Sequence, residues 1–103
     1  MNDTAEIIGP EREMPRYKCH KEVHALKIKS IALDSTAALE EGRETDGSAM
    51  IVPFDLGYAP FKVSYDYMRQ RRPQVGGYYV VYEDGYASYS PAQAFENGYT
   101  RLV

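Results

Sequence analysis

The chain of 103 residues has a net charge of −3 and 44% hydrophobic residues, and these values limit its class. That length suits one small domain and excludes a separate cofactor-binding domain. The acidic balance argues against a globally basic nucleic-acid binder. No apolar run approaches the roughly 20 residues that a membrane span needs. The N-terminus has no apolar segment of the kind found in signal peptides, so we expect none. The single cysteine cannot form an internal disulfide and is typical of a reducing cytosol.

We predict a flexible N-terminal tail over residues 1–15 and a single small domain over residues 16–103. The tail contains four carboxylates and two prolines, a composition typical of a loosely docked terminus. Within the domain, residues 34–48 combine five carboxylates with one arginine and two glycines. This segment predicts an exposed acidic loop, in which Ala37–Glu41 can form one helical turn.

Two strands flank this acidic loop in the predicted order. Residues 22–33 include apolar side chains that alternate with Lys27 and Lys29, which predicts a long, bent strand. One face of that strand is predicted to hold Leu26, Ile28 and Ser30. Residues 49–54 predict a second strand, and Pro53 demotes its end to an edge position. The basic residues around the first strand are more typical of a solvated face than of a phosphate-binding one.

Cys19, His20 and His24 are the residues whose types suggest a metal site. On a strand, the two histidines share a face whereas Cys19 points to the other one. The sequence has no further cysteine or histidine to complete four ligands. The same geometry argues against a catalytic Cys–His pair, and no phosphate-binding or catalytic-serine motif is present. We therefore predict no metal, no cofactor and no enzymatic activity.

Ser64 is a predicted N-cap for a short helix, which Pro73 is predicted to end. Positive charge is concentrated near the end of this helix, at Arg69, Arg71 and Arg72. A charged helix end that complements the helix dipole is the simpler interpretation. Planar guanidinium groups also suit carboxylates and phosphates, and nearby tyrosines offer stacking surfaces.

Residues 78–89 predict a β-hairpin, because aromatic and β-branched residues flank Asp84-Gly85. We prefer a two-residue Asp84-Gly85 turn, because it collects polar residues on one solvated side. That register places Tyr79 and Tyr86 on the same face. A three-residue turn over Glu83–Gly85 is the alternative, and it regroups the two faces.

Ser90-Pro91 predicts the start of a last short helix, with Ser90 as N-cap and Pro91 at the first helical position. Asn97-Gly98 predicts a left-handed C-cap. The helix has about two turns, so packing through Phe95 must hold it. The order of elements predicts an α+β fold: a small antiparallel sheet of about four or five strands, including the C-terminal hairpin, with two short helices packed on it.

The segment from Gly76 to Thr100 resembles a group of small proteins encoded by tailed bacteriophages and prophages. Their pattern is a glycine-led Tyr-x-Val-Val-Tyr-Glu-Asp-Gly-Tyr strand and turn, then Ser-x-Ser-Pro, an Ala-Phe-Glu helix and Gly-Tyr-Thr. This sequence carries it at Gly77–Tyr86, Ser88–Pro91, Ala94–Glu96 and Gly98–Thr100. Lys18–Ile31 also resembles their N-terminal strand, although this match is looser than the C-terminal one. The group brings no established activity with it.

The resemblance implies a phage or prophage accessory protein in the cytoplasm of the bacterial host cell. Phage genes of this size often encode inhibitors of host defence, so we predict a non-enzymatic protein that binds a host protein or complex. Tyrosine and arginine are enriched at interfaces, so the predicted partner-binding residues are Arg69, Arg71, Arg72, Tyr79 and Tyr86. Nucleic-acid or nucleotide binding through the basic strand and the same arginines is the alternative. A homodimer through an edge strand is also compatible with the sequence.

Overall fold

The computed structural model describes residues 13–18 and 20–102, which form a five-stranded antiparallel sheet with three short helices. The strands are β1 (His24–Leu33), β2 (Ala49–Pro53), β3 (Phe61–Val63), β4 (Tyr78–Val81) and β5 (Ala87–Ser90). The helices are α1 (Asp34–Glu41), α2 (Tyr65–Arg71) and α3 (Ala92–Gly98). The strand order β3-β2-β1-β4-β5 confirms the predicted α+β class. Most of the predicted tail, residues 1–12, lies outside the described residues.

Strand β1 is the centre of the sheet, because its first half pairs with β4 and its second half pairs with β2. A β-bulge between Ile28 and Ser30 separates the two halves, and bulges bend and twist a strand. The bulge shifts the alternation by one residue, so Ile28 and Ile31 both pack on the core. Ser30 therefore faces the other side, beside its cross-strand partner Val52. The prediction that Ser30 shares the face of Ile28 was wrong, since a bulge is not visible in the alternation itself.

The core lies on the face of the sheet that α2 covers. Its buried members are Ile28, Ala49, Ile51, Val63 and Tyr67. Partly buried side chains surround them, namely Ile31, Phe61, Met68, Tyr79, Ala87 and Tyr89. The Tyr79 ring centroid lies 4.7 Å from that of Phe61 and 5.5 Å from that of Tyr67, both in tilted arrangements. Such aromatic contacts supply a large share of the apolar area in a core this small.

Helix α2 begins and ends where the sequence predicts. The Ser64 hydroxyl accepts a hydrogen bond from the Tyr67 backbone N–H at 3.1 Å, which is an N-cap. At the other end, Arg72 has a left-handed φ of 46° and donates its backbone N–H to the Met68 carbonyl at 3.0 Å. Pro73 follows at once and disfavours the helical region for Arg72. Both boundary predictions are confirmed.

The hairpin between β4 and β5 closes through the three-residue turn Glu83–Gly85. Pairing continues past the strands to Tyr82, whose N–H donates to the Tyr86 carbonyl at 3.0 Å. Gly85 has a φ of 86°, the left-handed conformation that glycine supplies in a three-residue turn. The preferred two-residue turn was therefore wrong, and the alternative register is the one that forms.

The observed register changes which tyrosines share a face. Tyr79 pairs with Tyr89 on the core face, whereas Tyr78 pairs with Ser90 on the opposite face. Tyr86 lies just before β5, at the hairpin turn, and does not pair with Tyr79. Burial explains this choice, because the register brings both Tyr79 and Tyr89 against the core instead of leaving Tyr79 on a solvated face.

Helix α3 covers part of the second face through stacked rings. Phe95 stacks on Tyr78 with centroids 4.1 Å apart and on Tyr99 with centroids 4.5 Å apart. Next to this stack, the Glu96 carboxylate accepts hydrogen bonds from the Tyr78 hydroxyl at 2.8 Å and from Lys27 Nζ at 3.2 Å. Phe95 is thus confirmed as the residue that anchors the helix.

The predicted caps of α3 were wrong. Ser90 is the last residue of β5 and its pairing with Tyr78 keeps it extended, so Pro91 takes the N-cap position without a side-chain cap. Gly98 is the last helical residue and is not left-handed, and Tyr99 continues in an extended conformation with a φ of −129°. Sheet pairing therefore determines where this helix starts, ahead of the capping preference of serine.

Residues 34–48, predicted as an acidic loop, contain helix α1 and an ordered connection. Gly42 ends the helix with a left-handed φ of 69°. The Asp34 carboxylate accepts hydrogen bonds from the Arg43 guanidinium at 2.9 and 3.1 Å and from the Thr45 hydroxyl at 2.9 Å. These contacts join the start of α1 to the connection that follows the helix, so the segment is folded back on itself.

Strand β2 lies inside the sheet, between β1 and β3, so β3 and β5 are the edges. Strand β3 pairs only with residues 49–51. Pro53 extends beyond that pairing, so the missing N–H of Pro53 interrupts no ladder on this side, as an edge position requires. Strand β3 already occupies the edge of β2 along residues 49–51, and the homodimer stays a prediction. Within the described residues, no helix is long and apolar enough to cross a membrane.

Candidate protein-binding surface

The three arginines of the predicted site lie at the C-terminal end of α2. Arg69 and Arg72 are exposed, and Arg71 is half-buried. The Arg69 guanidinium lies 3.8 Å from the Asp66 carboxylate, beyond hydrogen-bonding distance. It also lies 6.0 Å from the centre of the Tyr65 ring. The helix end therefore presents three positive charges that are only loosely held by neighbouring groups.

Arg71 joins α2 to the tip of the hairpin. Its guanidinium carbon lies 4.9 Å from the centre of the Tyr86 ring, a cation–π distance. The Tyr86 side chain remains 54% exposed and stacks on Tyr82 at 6.2 Å. We define the arginine–tyrosine surface as Tyr65, Arg69, Arg71, Arg72 and Tyr86. Two elements far apart in sequence build it, which makes its geometry a product of the fold.

Tyr79 does not belong to this surface. Its ring packs between Phe61 and Tyr67 on the core face of the sheet. Tyr65, one of the nearby tyrosines with a predicted stacking surface but not one of the predicted contact residues, is 54% exposed and lies one helical turn before Arg69. The spacing of four residues on a capped helix is the signal that pairs these two side chains.

Several cations elsewhere in the described chain are matched to carboxylates. Lys27 contacts Glu96 at 3.2 Å, Arg43 contacts Asp34 at 2.9 Å, Lys62 contacts Asp46 at 3.1 Å, and Arg101 contacts Asp55 at 3.7 Å. The Arg43 guanidinium holds the pKa of the Asp34 carboxyl well below its usual range. Arg71 and Arg72 have no carboxylate within 4.0 Å among the residues the structure describes. The arginine–tyrosine surface thus carries a local excess of positive charge on an acidic protein.

A cleft of about 310 Å³ lies at the hairpin tip. Its lining residues are Lys21, Tyr82, Glu83, Asp84 and Tyr86. The charged groups in it have both signs, and the Asp84 carboxylate is engaged with the Tyr86 backbone N–H at 3.0 Å. This arrangement shapes the turn and does not bring together a nucleophile and a base.

The candidate metal ligands are not gathered into a site in the described part of the chain. His20 and His24 are both exposed, and His24 begins β1. Cys19 lies outside the described residues. Over residues 13–18 and 20–102, no three side chains of the histidine, cysteine and carboxylate types are grouped to hold a metal ion.

Residues 54–58, between β2 and β3, form a second exposed feature. Its large apolar side chains are Phe54, which is 50% exposed, Leu56, which is 92% exposed, and Tyr58, which is 57% exposed. The Asp55 carboxylate accepts the Gly57 N–H at 3.0 Å, and the Asp55 carbonyl accepts the Tyr58 N–H at 3.2 Å. These bonds form a tight turn, from which the apolar side chains remain exposed.

Comparisons with known proteins match this chain to a phage structure. No family model matches the sequence, and no curated protein matches it. Among solved structures, the NMR solution structure of the monomeric form of the phage L decoration protein is 31% identical, with a TM-score of 0.55 over 81% of this chain. The chain is similar to a phage decoration protein. It spans about half of that decoration protein, 54% of its length.

The likeness to the phage L decoration protein agrees with the predicted phage origin, whereas the non-enzymatic role stays a prediction. Binding of a host protein and inhibition of host defence stay predictions. So do the roles of the individual contact residues, because the likeness is one of fold and sequence and assigns no role to a side chain.

Proposed function

We propose that this chain is a decoration protein of a phage or prophage, which binds the assembled capsid shell and catalyses no reaction. The observation that carries the proposal is the 31% identity to the phage L decoration protein over 81% of this chain. The C-terminal resemblance to small phage and prophage proteins points to the same biological source. The proposed location is the cytoplasm of the bacterial host cell, where the new particles are present.

The surface chemistry of the domain suits a docking role. Arginine and tyrosine are the residue types that most often dominate binding energy at protein interfaces. Here they are held by a capped helix and a paired hairpin rather than by free loops. Their backbone is ordered before binding, so more of the contact energy appears as affinity than for a free loop.

Co-sedimentation tests the proposal directly. The purified full chain is mixed with purified capsids of the phage or prophage whose genome encodes it, and the capsids are pelleted. We expect saturable binding with a fixed number of copies per capsid, and weaker binding to dispersed shell subunits. Binding that is absent, or that rises without saturation, would contradict a decoration role.

Binding to a host protein is the alternative, favoured by the C-terminal resemblance to phage accessory proteins. An affinity pull-down from host lysate, with and without nuclease, distinguishes it from the capsid proposal. Enrichment of one host protein that resists nuclease, together with no capsid binding, favours the host target. Enrichment that disappears with nuclease and a steep dependence on salt favours nucleic acid.

A further inference from the structure

We infer that the arginine–tyrosine surface binds a carboxylate-rich segment of a protein partner. This inference rests on the proposed function, in which that partner is the capsid shell protein. The surface joins Arg71 to Tyr86 at 4.9 Å and Arg69 to Tyr65 at 6.0 Å. Each aromatic ring gives a guanidinium an apolar support on one side, while the edge of the guanidinium keeps its hydrogen-bond donors available.

The charge pattern identifies the chemistry of the occupant. The Arg43 guanidinium is fully paired by comparison, since it donates hydrogen bonds to the Glu41 carboxylate at 2.7 Å and to the Asp34 carboxylate at 2.9 Å. Arg71 and Arg72 have no such acceptor among the described residues, and Arg69 has one at 3.8 Å. A planar guanidinium binds a carboxylate through two parallel hydrogen bonds. Carboxylates of a partner therefore supply what this surface lacks.

Proteins fit this surface better than nucleic acids do. The chain has a net charge of −3, and the Glu83 and Asp84 carboxylates line the hairpin cleft together with Tyr86. A nucleic-acid strand needs a continuous positive track for its phosphates, and these carboxylates interrupt such a track. One or two carboxylates on a protein loop reach the arginines without crossing the acidic hairpin tip.

The test compares two double variants that remove the same charge. Arg69→Gln with Arg72→Gln alters the surface at its two exposed arginines. Lys18→Gln with Lys29→Gln is the matched control, because both lysines are exposed and lie outside the surface. We expect the arginine variant to bind capsids about tenfold more weakly or worse, as for interface arginines. The lysine variant should change affinity by less than about threefold, as is usual for charges outside the contact.

The outcomes separate this inference from the proposed function. If the wild type binds capsids and both variants bind equally well, the inference is overturned while the decoration role stands. If the wild type does not bind capsids, the decoration role is overturned, and a second measurement judges the surface. That measurement titrates isotope-labelled full chain with an oligoglutamate peptide and with an oligothymidylate, and follows the side-chain signals of Arg69, Arg71 and Arg72 by NMR.

In the NMR titration we expect the oligoglutamate peptide to shift these arginine signals at lower concentration than it shifts the signals of Lys18 and Lys29. Arginine signals that stay fixed, or that respond only together with those lysines, would overturn the inference. Tighter binding of the oligothymidylate to the same arginines would also overturn it, in favour of nucleic acid. Unfolding curves of both double variants confirm that a lost interaction is not a lost fold.

Discussion

Tyr67 on α2 donates its phenolic hydrogen to the main-chain carbonyl of Ser88 on β5, across an oxygen–oxygen distance of 2.8 Å. Strand β5 is an edge strand, and β4 is its strand neighbour within the described sheet. The side chain of Tyr67 is buried in the core. One residue therefore fills the core and attaches the helix that carries the arginine–tyrosine surface to the hairpin that completes it.

Replacing Tyr67 by phenylalanine keeps the ring and removes this hydrogen bond. We expect the free energy of unfolding to fall by about 1 kcal/mol, the usual net value of such a bond. Urea denaturation followed by circular dichroism measures the change. Tyr58→Phe is the matched control, because Tyr58 is 57% exposed and its loss of a hydroxyl should leave the midpoint unchanged. Equal midpoints for the two variants would show that water replaces the lost donor at Ser88.

The same tyrosine makes stability sensitive to alkaline pH. Burial raises the pKa of Tyr67 above the ordinary value of 10.0, so the folded state retains a proton that the unfolded chain releases. This contribution to stability is complete below pH 10 and is lost as the pH rises further. We expect the urea midpoint of the wild type to fall more steeply above pH 10 than that of Tyr67→Phe. The wild type and Tyr67→Phe should both keep some slope, because the pKa of Tyr78 is raised as well. Parallel curves for the two proteins would contradict a protonated, buried Tyr67.

Gly77 allows the Tyr89 ring to pack against the backbone before β4. A Cβ atom at Gly77 would overlap the hydroxyl end of Tyr89, and the ring is held against the core. We expect Gly77→Ala to lower the free energy of unfolding by about 1–3 kcal/mol, as overpacking does. Thermal unfolding gives the difference from the wild type.

Gly98→Ala is the control for Gly77→Ala, because it makes the same chemical change in open space. A Cβ at Gly98 has no neighbour within 4 Å, and the residue ends α3 without a positive φ. Alanine should leave stability unchanged or raise it by less than about 1 kcal/mol. A Gly77 variant as stable as the Gly98 variant would mean that Tyr89 moves aside freely.

The sequence predicts features that depend on neighbours along the chain and fails where distant pairing decides. The Ser64 cap, the stop at Pro73 and the anchoring role of Phe95 are all readable from short spacings, and the structure confirms them. The hairpin register is different, because the local sequence allows two turns and its polar pattern favours the one that does not form. Burial of Tyr79 and Tyr89 against the core chooses between them, and that core is assembled from other strands.

The candidate site divides in the same way. The cluster of arginines at the end of α2 can be predicted from the sequence, because the three residues are nearly consecutive. In the structure they lie together at one end of the helix. The contact between Arg71 and Tyr86 is not visible, since it depends on packing α2 beside β5. Tyr79 was placed on the surface by the wrong register, which moves a side chain to the other face for a shift of one residue.

Asp34 is the acceptor that organises the connection from α1 to β2. Its pKa is lowered, first by hydrogen bonds from Arg43 and then by the Thr45 hydroxyl. A lowered pKa contributes stability at pH values above the ordinary value of 3.8, and this contribution is lost as the pH falls below it. We expect Asp34→Asn to lower the melting temperature at pH 7 by a few degrees and to be less sensitive to acid than the wild type between pH 4 and pH 2. Glu40→Gln, at an exposed position of the same helix, should follow the wild-type curve.

Helix α3 depends on Phe95 for its position on the sheet. The ring lies between Tyr78 and Tyr99, with centroid distances of 4.1 and 4.5 Å. Phe95→Ala removes both stacking contacts, and because the ring is only half-buried we expect a cost of about 1–3 kcal/mol, below that of a fully buried phenylalanine. Leu102→Ala removes a side chain that is 72% exposed and should cost little.

Amide hydrogen exchange shows whether the loss at Phe95 is local. We expect the amides of α3 to exchange faster in Phe95→Ala while those of β1 and β2 remain protected, because α3 and the core lie on opposite faces of the sheet. The Glu96 carboxylate should also lose its pKa depression, since its bonds from Tyr78 and Lys27 require the helix in place. Faster exchange throughout the sheet would instead show that the second face supports the whole fold, and that the ring stack is part of one cooperative unit with the core.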